Sequence, residues 1–125
     1  MMTKMVKVDG KDVAFKASAA IPRLYRIKFR RDIFRDLKKL SKAVEKNEES
    51  ESEIPIDDLE MFENIAYIMA QHADPKNVPS NVIDWLDNFN TFSIYQILPE
   101  LIDLWNLNTT TEIESKKKFD QLRGK

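Results

Sequence analysis

The sequence has no cysteine, one histidine (His72) and two glycines (Gly10 and Gly124) among its 125 residues. Without cysteine there are no disulfides, thiolate metal ligands or cysteine nucleophiles, and one histidine cannot form a His-rich metal site. Two separate glycines cannot form a glycine-rich phosphate-binding loop. No stretch approaches the roughly 20 consecutive apolar residues of a membrane-spanning helix, and the N-terminus lacks the apolar core of a secretory signal. We therefore expect a soluble cytosolic protein without membrane segments, cofactors, metal sites or catalytic residues.

The length and the apolar content are those of one folded domain. A chain of 125 residues, of which 42% are hydrophobic, has the size of a single domain and enough apolar side chains for one core. We therefore predict that residues 1–125 form a single domain.

The charged residues are separated along the chain, although they nearly cancel to a net charge of −1. Residues 22–46 contain ten basic and three acidic residues, whereas residues 47–64 contain eight acidic residues and no basic one. This separation predicts a basic and an acidic surface, which either neutralise each other, within the chain or between copies, or leave the basic surface to a polyanion. The sequence pI of about 5.9 argues against nucleic acid as the partner, because nucleic-acid-binding domains are strongly basic.

Residues 4–17 have the pattern of a β-hairpin. Asp9-Gly10 favours a two-residue type I′ turn, which needs a positive φ at both positions. This turn places Val6 opposite Val13, so that one face of the hairpin is apolar. Because an isolated hairpin is marginally stable in water, we expect this face to pack on helices or on another chain.

The remainder of the chain has the apolar periodicity and the capping signals of helices. Asp57 with Glu60 has the spacing of a capping box, with Ile56 as its hydrophobic staple, and Ser80 and Ser93 precede two further helices. We predict a predominantly α-helical α+β fold, an N-terminal β-hairpin followed by about five helices in one domain. The predicted segments are helices over about residues 22–46, 57–73, 81–88, 94–106 and 112–122, and an acidic linker over residues 47–54.

Few residues suggest catalysis or metal binding. His72 lies on the apolar stripe near the C-terminal end of its predicted helix, where the helix dipole favours the protonated imidazolium. A Ser-His-Asp triad is formally possible, but no strained nucleophile turn surrounds any serine. Asp57, Asp58 and Glu60 could bind a divalent cation, but helix capping explains these carboxylates more simply.

Two groups of residues are candidates for partner binding. Basic and aromatic residues alternate between Arg23 and Arg31, a composition typical of protein interfaces and of phosphate-binding surfaces. The second group is aromatic and surrounds a helix junction, and those of its members that are exposed would contact a partner. In both groups the aromatic side chains could instead be part of the core. The basic residues of the first group would then form a solvated face. The candidate residues are Arg23, Arg26, Arg30, Arg31, Trp85, Phe89, Phe92 and Tyr95.

Several short segments, taken in their order along the chain, form a recognisable pattern. They are Asp9-Gly10-Lys11, Phe15-Lys16-Ala17, Ile21-Pro22-Arg23-Leu24-Tyr25-Arg26, Phe29 to Phe34, Phe62-Glu63-Asn64-Ile65-Ala66-Tyr67-Ile68-Met69-Ala70, Ile83-Asp84-Trp85-Leu86, Leu98-Pro99 through Leu104-Trp105-Asn106, and Thr109 to Lys118. In this order, from about residue 6 to residue 118, they resemble the tail assembly chaperones of siphophages and prophages of Gram-positive bacteria. The family pattern has a glycine after Phe29, where this chain has Arg30, which leaves open whether the helix predicted over residues 22–46 breaks there.

The resemblance implies a non-enzymatic assembly factor, the shorter product made before a programmed frameshift. Such a protein binds the phage tape measure protein, keeps it soluble in the host bacterial cytoplasm and is absent from the mature virion. It helps to recruit tail tube protein, mainly through a longer frameshifted form. The separated charges would also favour self-association, with Arg23, Arg26, Arg30 and Arg31 against an acidic face of a neighbouring copy.

Lys116, Lys117 and Lys118 are the candidate position of the frameshift, because consecutive lysine codons can form an A-rich slippery heptamer. A lysine-rich solvated helix is the alternative interpretation of these residues. Two other functions also remain open for the whole chain. One is a small nucleic-acid-binding regulator that uses the basic surface over residues 23–46, and the other is a generic helical adaptor for a host protein.

Overall fold

Two strands and five helices follow one another in the computed structural model, which describes residues 2–46 and 54–106. The elements are β1 (Met2–Val8), β2 (Lys11–Ala17), α1 (Ile21–Phe29), α2 (Ile33–Lys46), α3 (Ile56–Ala73), α4 (Val82–Leu86) and α5, over residues 94–106. The predicted fold class, a mostly helical α+β fold with an N-terminal hairpin, is confirmed. The predicted helix over residues 112–122, the three lysines at 116–118 and linker residues 47–53 lie outside the described residues. None of the described helices combines the length and the apolar character needed to cross a membrane.

The hairpin forms as its turn sequence predicts. Asp9 has φ 53° and Gly10 has φ 76°, which are the left-handed conformations of a type I′ turn. The strands are antiparallel, with Val6 opposite Val13 and Lys7 opposite Asp12. The inner face of the hairpin is buried in the core through Val6, Val8, Phe15 and Ala17.

Hydrogen bonds and a cation–π contact join the hairpin turn to the connection between α4 and α5. The Asp9 carboxylate accepts hydrogen bonds from the backbone N–H of Asn90, at 2.9 Å, and from the Thr91 hydroxyl, at 3.2 Å. The Lys11 ammonium lies 5.6 Å from the centre of the Phe89 ring, a cation–π distance. These contacts join the first and last thirds of the described chain.

The predicted helix over residues 22–46 is wrong as a single helix, because the chain breaks it into α1 and α2. Arg30, the C-cap of α1, is left-handed with φ 60°, and its N–H still donates to the carbonyl of Arg26. Asp32 then restarts the helix, since its Oδ1 accepts a hydrogen bond from the N–H of Phe34 at 3.0 Å, as an N-cap does. The break therefore lies at Arg30, the position at which the sequence left the continuity of the helix open.

The long helix α3 is the centre of the core. Buried residues occur all round its middle (Met61, Phe62, Ile65, Ala66, Tyr67, Ile68, Met69 and Ala70), as is typical of a helix enclosed by other elements. The predicted capping box of Asp57 and Glu60 is wrong, because α3 begins at Ile56 with Pro55 as its N-cap and no side chain caps it. Asp57 instead lies in the first turn, where its charge is favourable to the helix dipole. The predicted hydrophobic staple is also wrong, since Ile56 is 75% exposed.

Helix α4 is shorter than the predicted segment over residues 81–88. Its N-cap is Asn81 and not the predicted Ser80, because Asn81 Oδ1 accepts a hydrogen bond from the N–H of Asp84 at 3.0 Å. Trp85 faces the core at 3% exposure, whereas Ile83 is 77% exposed. Helix α5 follows Ser93 as predicted, and its buried side chains are Ile94, Ile97, Leu98, Leu101, Leu104 and Trp105.

Candidate functional site

The predicted arginine group lies on α1 and on the break that follows it. Arg23, Arg26 and Arg30 are exposed, and the helical spacing places the side chains of Arg23, Arg26 and Ile27 on the face of α1 opposite its buried Ile21 and Tyr25. Within the described residues these three arginines form no ion pair. That they contact a partner stays a prediction.

Arg31 differs from the other three arginines because it holds a buried carboxylate. Its guanidinium donates two hydrogen bonds to Asp36, Nε to Oδ2 at 2.7 Å and Nη2 to Oδ1 at 2.9 Å. Asp36 is 2% exposed, and the Tyr25 hydroxyl donates to the same Oδ2 at 2.6 Å. The principal role of Arg31 in the fold is thus to neutralise a charge inside it.

This buried network shifts the acidities of its members. Burial alone raises the pKa of Asp36, but the hydrogen bonds from Arg31 and Tyr25 outweigh burial and bring its pKa below the ordinary value. Burial and the hydrogen bond to Asp36 raise the pKa of Tyr25. Asp36 is therefore charged and Tyr25 is neutral at pH 7.

The outer face of α2 continues the exposed positive charge of α1. Arg35, Lys38 and Lys42 are exposed, and in the described part of the chain none of them has an acidic partner. Lys39 is instead engaged, since its Nζ lies 3.3 Å from Oδ1 of the buried Asp58. We call the surface formed by Arg23, Arg26, Arg30, Arg35, Lys38 and Lys42 the basic face.

A surface cavity of about 470 Å³ lies at the break between α1 and α2. Its apolar lining is Pro22, Ile33 and Phe34, and Arg26 and Arg30 stand beside it. Phe34 is 50% exposed, and its ring lies against Trp105 with the centroids 5.3 Å apart and the planes at 63°, so that the apolar lining is held in place. We call this cavity the arginine groove; Arg31 and Asp32 complete its lining.

The predicted aromatic group is mainly part of the core. Trp85 is the centre of an aromatic cluster, and its ring lies 5.3 to 6.4 Å from the rings of Phe15, Tyr67, Phe89 and Phe92. Trp85 is removed from the candidate contact residues because it is 3% exposed. Phe89, Phe92 and Tyr95 are half-buried. The rings of Phe89 and Phe92 lie edge-on to Trp85 and are tilted by 40° relative to each other.

Two groups of exposed acidic residues lie at the start of α3 and on α4. Asp57 and Glu60 lie at the start of α3 and line a cavity that they share with Arg31 and Lys39. Asp84 and Asp87 lie on α4, beside the exposed Ile83. The first group thus faces basic residues of its own chain, and the second has no ion-pair partner among residues 2–46 and 54–106.

His72 does not have the protonation predicted from the helix dipole. Burial and the nearby charge of Lys16 lower the pKa of His72 below its ordinary value, so that the neutral imidazole is favoured at pH 7. Its Nε2 lies 3.1 Å from Ser18 Oγ, and Ser18 Oγ also accepts a hydrogen bond from the N–H of Ala20 at 3.2 Å. The Ser18 side chain therefore stabilises the turn before α1, whereas α1 itself has Ala20 as its N-cap and no side-chain cap. Over the described ranges, no group of three or more His, Asp or Glu residues is arranged to hold a metal ion.

Phe34 and Arg35 are not among the candidate contact residues predicted from the sequence. The exposure of both side chains results from the break, because α2 begins anew at Ile33 and these two positions then face outward. A signal for Phe34 was present, because it lies one position away from the apolar stripe Tyr25, Phe29, Ile33 and Leu37. An aromatic residue beside the stripe, in a basic segment, is a candidate for exposure.

No protein-family model, no curated protein and no solved structure matches the chain.

Proposed function

We propose that the chain is a phage tail assembly chaperone, a non-enzymatic protein of the host bacterial cytoplasm that binds the tape measure protein and keeps it soluble. The resemblance of the ordered segments, from about residue 6 to residue 118, is the observation that carries this proposal. The break between α1 and α2 supports it further. Arg30 has a left-handed φ of 60° where the family pattern has glycine, the residue that this conformation favours.

The surface at the break suits such a partner. Ile27 is 62% exposed and Phe34 is 50% exposed, and both lie beside arginines of the basic face that form no ion pair in the described part of the chain. Exposed apolar side chains inside a charged rim are typical of protein-binding surfaces. We infer that apolar stripes of the tape measure helices dock here, while recruitment of tail tube subunits falls mainly to a longer frameshifted form.

Co-expression with the cognate tape measure protein tests this proposal. We expect the wild-type chain to raise the soluble yield of the tape measure protein several-fold and the Ile27→Glu/Phe34→Glu variant to lose most of this effect. Ile56→Glu is the control, because Ile56 is 75% exposed but does not line the arginine groove. An unchanged soluble yield with the wild-type chain would refute the proposal.

A nucleic-acid-binding regulator is the second candidate, because α1, α2 and the break between them carry six exposed basic side chains that form no ion pair within residues 2–46 and 54–106. This function predicts an affinity for DNA whose logarithm falls linearly with the logarithm of the salt concentration. Absence of DNA binding at low salt eliminates this candidate.

A further inference from the structure

A second surface cavity, of about 250 Å³, lies between α2 and α5. Both helices contribute to its apolar lining, which consists of Val44, Leu98, Pro99 and Ile102. Ser41 and Asp103 are its polar residues. The volume is below the roughly 300–1,000 Å³ of small-molecule sites, so that the cavity fits apolar side chains of a packed segment better than a free ligand. We call this cavity the α2–α5 groove.

Two stretches outside the described residues adjoin the α2–α5 groove. Residues 47–53 follow α2, and residues 107–125 follow α5. The first stretch contains four glutamates and no apolar side chain, so that it has nothing to place in an apolar groove. The second stretch contains Leu107, Ile113, Phe119 and Leu122. The C-terminal stretch is therefore the part of the chain that suits the groove.

The spacing of the C-terminal stretch matches the position of the groove on α5. Residues 107–111 lie between α5 and the helix predicted over residues 112–122, and a connection of two to five residues is typical of two antiparallel helices. Both helices rise by about 1.5 Å per residue. A return helix that begins level with residue 106 therefore brings Phe119 level with Pro99 and Lys116 level with Ile102, beside Asp103.

We propose that the predicted helix over residues 112–122 packs back on α5 of the same chain and covers the α2–α5 groove. Phe119 lies against the apolar lining, and Leu122, three residues later on the same face, extends the contact by one turn. Lys116 shares that face and lies beside Asp103. The Asp103 side chain is exposed and forms no ion pair among residues 2–46 and 54–106, so that the charges at the edge of the groove are complementary.

The covalent connection favours this occupant over a separate molecule. A segment joined to its site by a short connection has an effective concentration in the millimolar range. The contact is thus intramolecular and does not depend on protein concentration. The proposal rests on the groove and on the spacing of residues 107–122, and it is independent of the chaperone function.

A single thiol in the groove tests the proposal, because the sequence contains no cysteine. In the full chain with Ser41→Cys, the rate of reaction with a maleimide reports how far the groove is covered. We expect the additional change Phe119→Glu/Leu122→Glu to raise this rate several-fold. The rates should be the same over a tenfold range of protein concentration, as an intramolecular contact requires.

The matched control is Ile113→Glu in the same Ser41→Cys chain. It also places a glutamate in the C-terminal stretch, but on the part of the predicted helix that faces away from Phe119 and Leu122. The control should keep the slow rate of the Ser41→Cys chain. Near-ultraviolet circular dichroism, which reports the packing of the buried Trp85, should be unchanged in all variants.

Three results would overturn the proposal. The first is an unchanged rate in the Phe119→Glu/Leu122→Glu variant with its fold intact, which would show that these side chains do not cover the groove. The second is a control variant that reacts as fast as the double variant. The third is a rate that falls as the protein concentration rises, which would place a second copy in the groove.

Discussion

The guanidinium of Arg31 donates two hydrogen bonds, of 2.7 and 2.9 Å, to the carboxylate of Asp36, which lies five residues later in the chain. A separation of five residues does not bring side chains together on one continuous helix. The pair forms because the chain breaks at Arg30 and turns the start of α2 under the Arg31 side chain. The break at Arg30 therefore has two effects. It forms the candidate surface, and it allows the Asp36 carboxylate to be buried with Arg31 as its cation.

Removal of Arg31 should destabilise the fold. We expect Arg31→Ala to lower the free energy of unfolding by about 2–3 kcal/mol, because it leaves the Asp36 charge without its cation. This loss is smaller than that of a fully buried pair, since the Arg31 side chain is 48% exposed and Tyr25 still donates to Asp36. Arg35→Ala is the control and should change stability by less than about 0.5 kcal/mol. Equal urea midpoints for the two variants would show that the pair does not stabilise the fold.

Acid should destabilise the protein through Asp36. The folded state lowers the pKa of Asp36 below its ordinary value of 3.8, so that the folded state binds fewer protons than the unfolded chain in this range. The stabilisation is complete well above that value and is lost as the pH falls from about 5 through the lower folded pKa.

Urea unfolding at a series of pH values checks this dependence. Asp36→Asn should be less stable than the wild type at pH 7 and should lose less stability between pH 5 and pH 3. Asp12→Asn, which removes an exposed ion pair with Lys7, should keep the wild-type slope. A wild-type slope in Asp36→Asn would contradict the assignment.

Arg30→Gly should stabilise the protein. A left-handed conformation costs a residue with a side chain about 1–2 kcal/mol, and glycine adopts it freely at the expense of about 0.5–1 kcal/mol in unfolded-state entropy. The expected net gain in the free energy of unfolding is up to about 1.5 kcal/mol. Arg26→Gly, the same substitution inside α1, should instead destabilise by about 1 kcal/mol. Chemical denaturation measures the free energy of unfolding of both variants. A loss of stability in both would contradict the claim that the left-handed conformation at Arg30 is unfavourable for a residue with a side chain.

The hairpin and the break show how far the sequence could predict this fold. The hairpin was predictable because Asp9 and Gly10 define their turn locally, and the register follows from it. The apolar periodicity could not predict the break, because Tyr25, Phe29, Ile33 and Leu37 keep a spacing of four residues across it. That spacing is indistinguishable from one continuous apolar stripe.

The sequence could predict which residues belong to the candidate surface. It could not predict which of them are exposed and which stabilise the fold. The arginines could be named from the sequence, and Arg23, Arg26 and Arg30 are indeed exposed. Nothing in the sequence distinguishes Arg31, whose structural role depends on the burial of Asp36. Trp85 was a candidate for contact for the same reason that it is a core residue, since a large aromatic side chain suits both places.

The proposed function also predicts a property of the coding DNA. The codons of Lys116, Lys117 and Lys118 should form an A-rich slippery heptamer, followed by an open −1 reading frame and then by a very long gene. Sequencing of this region checks the prediction. Lysine codons that do not form such a heptamer, together with a closed −1 frame, would contradict the proposed frameshift at this position.

Co-purification with the cognate tape measure protein tests the proposed function most directly. The two proteins are co-expressed, the tape measure protein is captured through an affinity tag, and the copies of the chain bound to each tape measure molecule are determined from the mass of the eluted complex. We predict a soluble complex with several copies of the chain on each tape measure protein, and far fewer copies with the Ile27→Glu/Phe34→Glu variant. A soluble tape measure protein that elutes without the chain would contradict the account.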